Sequence, residues 1–287
     1  MATTTQLALP PRTANPIAMW HLMSLDAPTV AMLWTWFVAR AGDVRLPLST
    51  AAAMGLAVWI LYAADRLLDT RGLDALRGGA GELEARHYFH HRYRGVFTAG
   101  IVLAGAVLAA MLPRLNDGAM HLYGVEGVLL VAWFWILHAT HSAHRLPKEM
   151  AVGLFFSAAV FIPTVARDPG LRLRMLPDAV LFAALCSLNC LFIYAWEHSA
   201  RQLRRAHPST RLAVGHLTML ACAVAVAGAA LTLLGPIAER PIAAACTLSQ
   251  VLLLLLNSQR RRLSGISLRA AADLALLTPI LLLPFLQ

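Results

Sequence analysis

Charge is what this sequence has little of. Aspartate, glutamate, lysine and arginine make up 14% of its 287 residues, against about 25% in a typical soluble domain. So few charges are not the balance of a soluble domain. Cysteine is scarce too. The four present, Cys186, Cys190, Cys222 and Cys246, lie in apolar runs without metal-ligand spacing, so no disulfide framework or zinc site is expected of them. The residues before Ile17 lack a basic stretch leading into a short apolar segment, and no cleaved signal peptide is expected. There is no repeat, low-complexity tract or linker, so residues 1–287 read as a single domain.

What fills the sequence is apolar: 59% of residues are hydrophobic and the mean hydropathy is +0.63. A bilayer core about 30 Å thick is crossed by roughly 17–25 apolar helical residues. Nine runs of suitable length are bounded by charges or prolines: 17–41, 47–64, 95–112, 122–139, 150–166, 179–196, 212–238, 242–257 and 270–286. The expected fold is therefore all-α, a polytopic bundle of nine transmembrane helices in contact with membrane lipids. Asp26 and Pro28 interrupt the first run and resemble an N-cap followed by a first-turn proline. The span is expected to start there, with Ile17–Leu25 lying along the interface.

The formal net charge of +9 could suggest nucleic acid if it were spread over a polar surface. Instead the basic residues gather in alternate loops. With the N-terminus cytoplasmic, one side holds most of the 24 lysines and arginines, including Arg66, Arg145, Lys148, Arg201, Arg204 and Arg205. The positive-inside rule then places the N-terminus in the cytoplasm and the C-terminus on the opposite side. The charge reports topology, and no nucleic-acid partner is expected.

Against that topology, each acidic residue can be set beside the helix macrodipole, which favours carboxylates at N-termini by about 0.3–1 kcal/mol. Asp26, Glu126, Glu149, Asp178, Glu239 and Asp273 are expected at the starting ends of their helices, as caps or dipole partners. Asp65, Asp69 and Glu197 break the pattern, lying at the finishing ends of the second and sixth runs. Asp65 and Asp69 also share a helix face and repel each other. A cation among them removes both penalties. Asn189 lies two turns before Glu197 on the same face, inside an apolar run where an amide needs partners. Together Asp65, Asp69, Asn189 and Glu197 offer the oxygen ligands that Mg²⁺ accepts alongside phosphates and water. Arg66, Arg145, Lys148 and Arg201 could neutralise a diphosphate.

The stretch Leu61–Asp69 reads L-Y-A-A-D-R-L-L-D, and Asn189–Glu197 reads N-C-L-F-I-Y-A-W-E. In this the chain resembles the UbiA superfamily of intramembrane prenyltransferases, whose first aspartate-rich motif runs N-x-x-x-D-x-x-x-D at the cytoplasmic end of helix two. A second motif of similar spacing ends helix six. Leu61 stands where that family has asparagine, and Ile193 where it has a carboxylate; His21–Thr29 is similar to the opening of its first helix. The resemblance implies a nine-helix bundle in which Mg²⁺, held by Asp65, Asp69, Asn189 and Glu197, grips an isoprenoid diphosphate. Loss of the diphosphate leaves an allylic cation, captured by a lipophilic or aromatic acceptor or by an internal double bond. Trp59, Tyr62, Tyr194 and Trp196 flank the motifs and could face that cation or serve as interfacial aromatics.

Two other readings come from the same residues. The run H-Y-F-H-H (His87, His90 and His91), with His138, His141 and His144 spaced by three, could hold iron or zinc in a histidine-box membrane oxygenase or desaturase. The altered motifs equally fit a catalytically degenerate relative of the prenyltransferase fold.

Overall fold

Backbone polar groups in lipid must be satisfied within their own segment, so long apolar runs fold as helices. The computed structural model describes residues 16–71, 85–139, 148–198, 203, 206–237 and 240–285, and no strand occurs among them. In chain order the helices are α1 (Pro16–Leu22), α2 (Asp26–Ala41), α3 (Leu48–Arg71), α4 (Ala85–Arg92), α5 (Arg94–Met111), α6 (Asp117–Ala139) and α7 (Lys148–Arg167). They continue with α8 (Leu171–Arg174), α9 (Leu176–Glu197), α10 (Pro208–Gly215), α11 (Leu217–Leu234), α12 (Arg240–Gln259), α13 (Gly265–Ala275) and α14 (Pro279–Leu282).

Six of these, α3, α5, α7, α9, α11 and α12, are long and apolar enough to cross a membrane among the described residues. Helices that are apolar on every side suit a multi-pass membrane protein. The expected runs map unevenly onto these helices. The first is divided between α1 and the 16-residue α2, breaking just before Asp26 as the sequence suggests. The seventh bends at His216 between α10 and α11, and the last breaks between α13 and α14.

One correction follows from the last break. Asp273, expected near the start of a helix, sits in the last turn of α13 instead. The hydroxyl of Ser264 accepts from the Ser267 N–H at 3.2 Å and starts the helix well before Arg269, the charge that seemed to bound the run. The macrodipole therefore opposes the Asp273 carboxylate.

Packing is centred on α2, α7 and α9. Helix α9 contacts α7, α11, α12 and α13, while α2 contacts α3, α7 and α13; α1 also reaches α13, so the first described helix packs against one of the last. Trp34, Phe37, Val160, Phe182, Leu185, Phe192, Ile242 and Leu253 fill the space between them and are almost fully buried. Trp34 and Phe182 lie with ring centroids 4.2 Å apart. The Trp34 indole N–H donates to the Leu276 carbonyl at 2.7 Å, which ties α2 to the end of α13. Outward faces are apolar as well: Val102 and Leu103 on α5, Val128 and Val131 on α6, and Val226 and Leu233 on α11 are all more than half exposed. In water such faces would aggregate; in lipid they match their solvent.

Helices α7 and α9 approach closely because Gly153 has no side chain. A Cβ there would strike Ser187 Oγ and lie 2.6 Å from the Ser187 nitrogen and 2.7 Å from the Ala183 carbonyl, so backbone would have to move. Small residues at such crossings are the usual means of close helix association in membranes. Gly153→Val is expected to lower stability by about 2 kcal/mol or more, while Gly105→Ala, where a Cβ meets nothing within 4 Å, is neutral or stabilising. Thermal unfolding of the detergent-solubilised variants checks the ordering.

Candidate functional site

The turn joining α1 to α2 holds Ser24 in the left-handed region, with φ of 59°. That conformation is uphill for a residue with a Cβ, so its surroundings must hold it there. The Ser24 hydroxyl accepts a 2.7 Å hydrogen bond from Arg66 Nη1, and His90 Nε2 lies 3.0 Å from it. Arg66 Nη1 also donates to the His21 carbonyl at 3.1 Å. A single guanidinium on α3 thus clamps the α1–α2 turn from beneath, while His90 on α4 closes it from the side. The His90 ring in turn stacks on Phe97 with centroids 4.1 Å apart.

The clamp orders a buried charged cluster. His21 Nδ1 lies 2.6 Å from Asp26 Oδ2 and 3.8 Å from Asp273 Oδ2, and Arg66 Nη2 lies 3.6 Å from Asp26 Oδ2. The side chains of His21, Asp26 and Arg66 are at most 6% exposed, and that of Asp273 is 16% exposed. Asn189 Nδ2 donates to Asp273 Oδ1 at 3.2 Å from the opposite helix, α9. Two carboxylates and one guanidinium leave a net negative charge whenever the imidazole is neutral. A second cation, whether a proton or a bound ion, is needed to balance it in so enclosed a place.

Next to this cluster, Arg269 Nη1 on α13 pairs with Glu197 Oε1 at 2.6 Å. Six helices (α1, α2, α3, α4, α9 and α13) therefore contribute polar side chains to this network.

The residues expected from sequence are distributed about this network in distinct ways. Asn189 and Glu197 are both engaged by α13, the first through Asp273 and the second through Arg269. Asp65 lies on the exposed face of α3, along which Leu61 and Leu68 are each 50% exposed. Arg66, one residue further on, is buried and spent on Ser24, His21 and Asp26. Asp69 falls in the last turn of α3, with its side chain outside the described ones. Lys148 is exposed at the start of α7, while Arg145 and Arg201 lie outside the described residues. Ile193 belongs to the hydrophobic core, so α9 presents no second carboxylate at that position.

Of the flanking aromatics, Trp59 Nε1 donates to the Met23 carbonyl and Trp196 Nε1 to Asn257 Oδ1, at 3.2 and 3.0 Å. Tyr194 stacks on His198 at 4.0 Å. In the histidine set, His90 is turned inward onto Ser24; the side chains of His87 and His138, and all of His141 and His144, lie outside the described set.

Sequence reading gave His21 no role of its own and took Asp26 and Asp273 for caps or dipole partners. Asp26 Oδ1 does accept the Ala27 N–H at 3.0 Å, but its other oxygen belongs to His21. The signal available was the break in the first apolar run, where a histidine and an aspartate five residues apart flank a turn. No family model, curated protein or solved structure matches the chain.

Truncating one partner of a buried ion cluster strands the other charge, at about 3–5 kcal/mol. Arg66→Met is accordingly expected to destabilise the protein by about 3 kcal/mol, whereas Arg92→Met, at an exposed position on α4, stays within about 0.5 kcal/mol of the parent. Equal melting temperatures for the two variants would contradict the clamp.

Proposed function

We propose that this protein is a UbiA-like intramembrane enzyme that uses an isoprenoid diphosphate with Mg²⁺, transferring the prenyl group to a lipophilic or aromatic acceptor or cyclising it. The nine apolar runs are its nine membrane passages, with α1–α2, α10–α11 and α13–α14 as broken ones and the N-terminus cytoplasmic. The observation that supports this reading most is a relay of buried polar contacts that links α3 to α9 through α1, α2 and α13. Arg66, next to Asp65, and Asn189 of the second motif are linked through Asp26, His21 and Asp273. Both helices that carry degenerate aspartate-rich motifs thus send a polar side chain into one buried network, beside which a common substrate would bind.

Mg²⁺, when bound, would supply charge neutralisation for a departing diphosphate. Asp65, Asp69, Asn189 and Glu197 are the residues to hold it. Oxygen donors alone suit that hard cation. Lys148, exposed at the start of α7, and Arg145 and Arg201 in the neighbouring basic segments would face the phosphates. Arg66, buried as it is, acts by holding the α1–α2 turn in place instead of meeting phosphate. Apolar walls around the polar end exclude water from the reacting carbon, which protects a cation that water would otherwise quench.

Purified full-length protein given Mg²⁺ and geranyl, farnesyl or geranylgeranyl diphosphate is expected to release pyrophosphate from at least one of them, and Asp65→Asn and Glu197→Gln are each expected to lower the rate at least 100-fold. Absence of release from all three substrates, or release indifferent to both substitutions, would remove the proposal.

A further inference from the structure

We infer that His21, Asp26 and Asp273 form a binding site for a first-row divalent transition-metal ion, sharing Asn189 alone with the oxygen-only quartet assigned to Mg²⁺ and tested without the diphosphate reading. Each of the three residues offers one ligand atom within 4.8 Å of the other two. Nitrogen and oxygen ligands sit about 2.0–2.2 Å from such ions, so two ligands of one ion lie roughly 3–4.4 Å apart. The 3.8 Å between His21 Nδ1 and Asp273 Oδ2 falls inside that range. The 2.6 Å between His21 Nδ1 and Asp26 Oδ2 is a hydrogen bond that has to open by about half an ångström.

Asn189 is the second, independent observation. It is 95% buried by its 5% exposure, its Oδ1 has no hydrogen-bond partner among the described residues, and its amide is already turned to Asp273 through Nδ2. A buried amide oxygen left bare in an apolar bundle is costly, because it has given up its water and gained nothing in return. An ion between the carboxylates would give it a partner.

The donor set names the class of ion. One imidazole nitrogen with two carboxylates and an amide oxygen is a borderline set, suited to Mn²⁺, Fe²⁺, Co²⁺ or Zn²⁺ over Mg²⁺, whose sites are built from oxygen. Charge draws a cation here, because Arg66 cancels one carboxylate and leaves the other to attract the ion, the site standing at +1 once a divalent ion is bound. Arg66 is also placed to orient Asp26 from outside the coordination sphere, and Asn189 Nδ2 to orient Asp273, as outer partners of metal ligands do. His21 and Asp26 come from the α1–α2 turn, Asp273 from α13 near the far end of the chain and Asn189 from α9. The ion therefore pins the α1–α2 turn and α13 to the helix that carries the second motif.

The test uses full-length protein in detergent without a histidine tag, and Co²⁺ alone as the probe, with no diphosphate present. After desalting in a tenfold excess of Mg²⁺, the parent is expected to retain about one Co²⁺ per chain, with the visible absorption of a nitrogen-ligated ion. His21→Phe and Asp273→Asn are each expected to reduce retention at least tenfold. The paired change His87→Gln and His91→Gln is expected to leave it unchanged. Folded parent protein that retains no Co²⁺ overturns the inference whether or not the variants fold. Retention that survives both His21→Phe and Asp273→Asn, or that is lost with His87 and His91, overturns it as well. Pyrophosphate release does not enter the readout, so failure here leaves the Mg²⁺ and diphosphate proposal standing, and failure there leaves this site standing.

Discussion

Arg66 reaching from α3 into the turn between α1 and α2 is the contact on which the polar end of this bundle depends. Its two nitrogens touch the Ser24 hydroxyl, the His21 carbonyl and the Asp26 carboxylate. Without a cation there, Asp26 and Asp273 would stand as two carboxylates in surroundings that solvate neither, and Ser24 would have little to hold it at positive φ. In a low-dielectric interior the separate terms are large and their balance small. The arrangement is therefore tolerated only because Arg66 answers one of the two carboxylates, and it still calls for a further cation.

The rest of the fold follows from an apolar chain that has to place this polar knot somewhere. Helices α2, α7 and α9 bury aromatic and branched side chains against one another, and the outer faces of α5, α6 and α11 stay apolar towards lipid. Stability comes from close packing at crossings such as Gly153 against Ser187, because apolar association alone gains little where the solvent is itself apolar. The buried charged cluster gathers where helices break: α1 into α2, and α13 into α14.

How much of this could be read in the sequence depended on the range of the interaction. Membrane-length apolar helices were legible because hydropathy is a local property, and the break before Asp26 was marked by Asp26 and Pro28 themselves. The last run was harder, since Ser264 begins α13 upstream of Arg269 and shifts Asp273 from a helix start to a helix end. Of the candidate site, the polar anomaly at Asn189 was visible, because an amide in an apolar run calls for a partner. Its partner was not, because Asp273 lies 84 positions away. His21 and Asp26 were within sight of each other, yet a capping role explained Asp26 well enough to hide the pairing. Arg66 shows the opposite error: a basic residue beside two aspartates looks like part of a phosphate site, and only the packing of α3 on α2 reveals that it faces inward.

The claim at the centre of this account is that Asp26 and Arg66 act as one unit. A double-mutant cycle of Asp26→Asn and Arg66→Met, read by reversible unfolding in detergent, measures this directly. Coupled buried charges predict an interaction energy of about 1.5 kcal/mol or more, with the double variant less destabilised than the sum of the single ones. Effects that add to within about 0.5 kcal/mol would contradict it and detach the α1–α2 turn from α3.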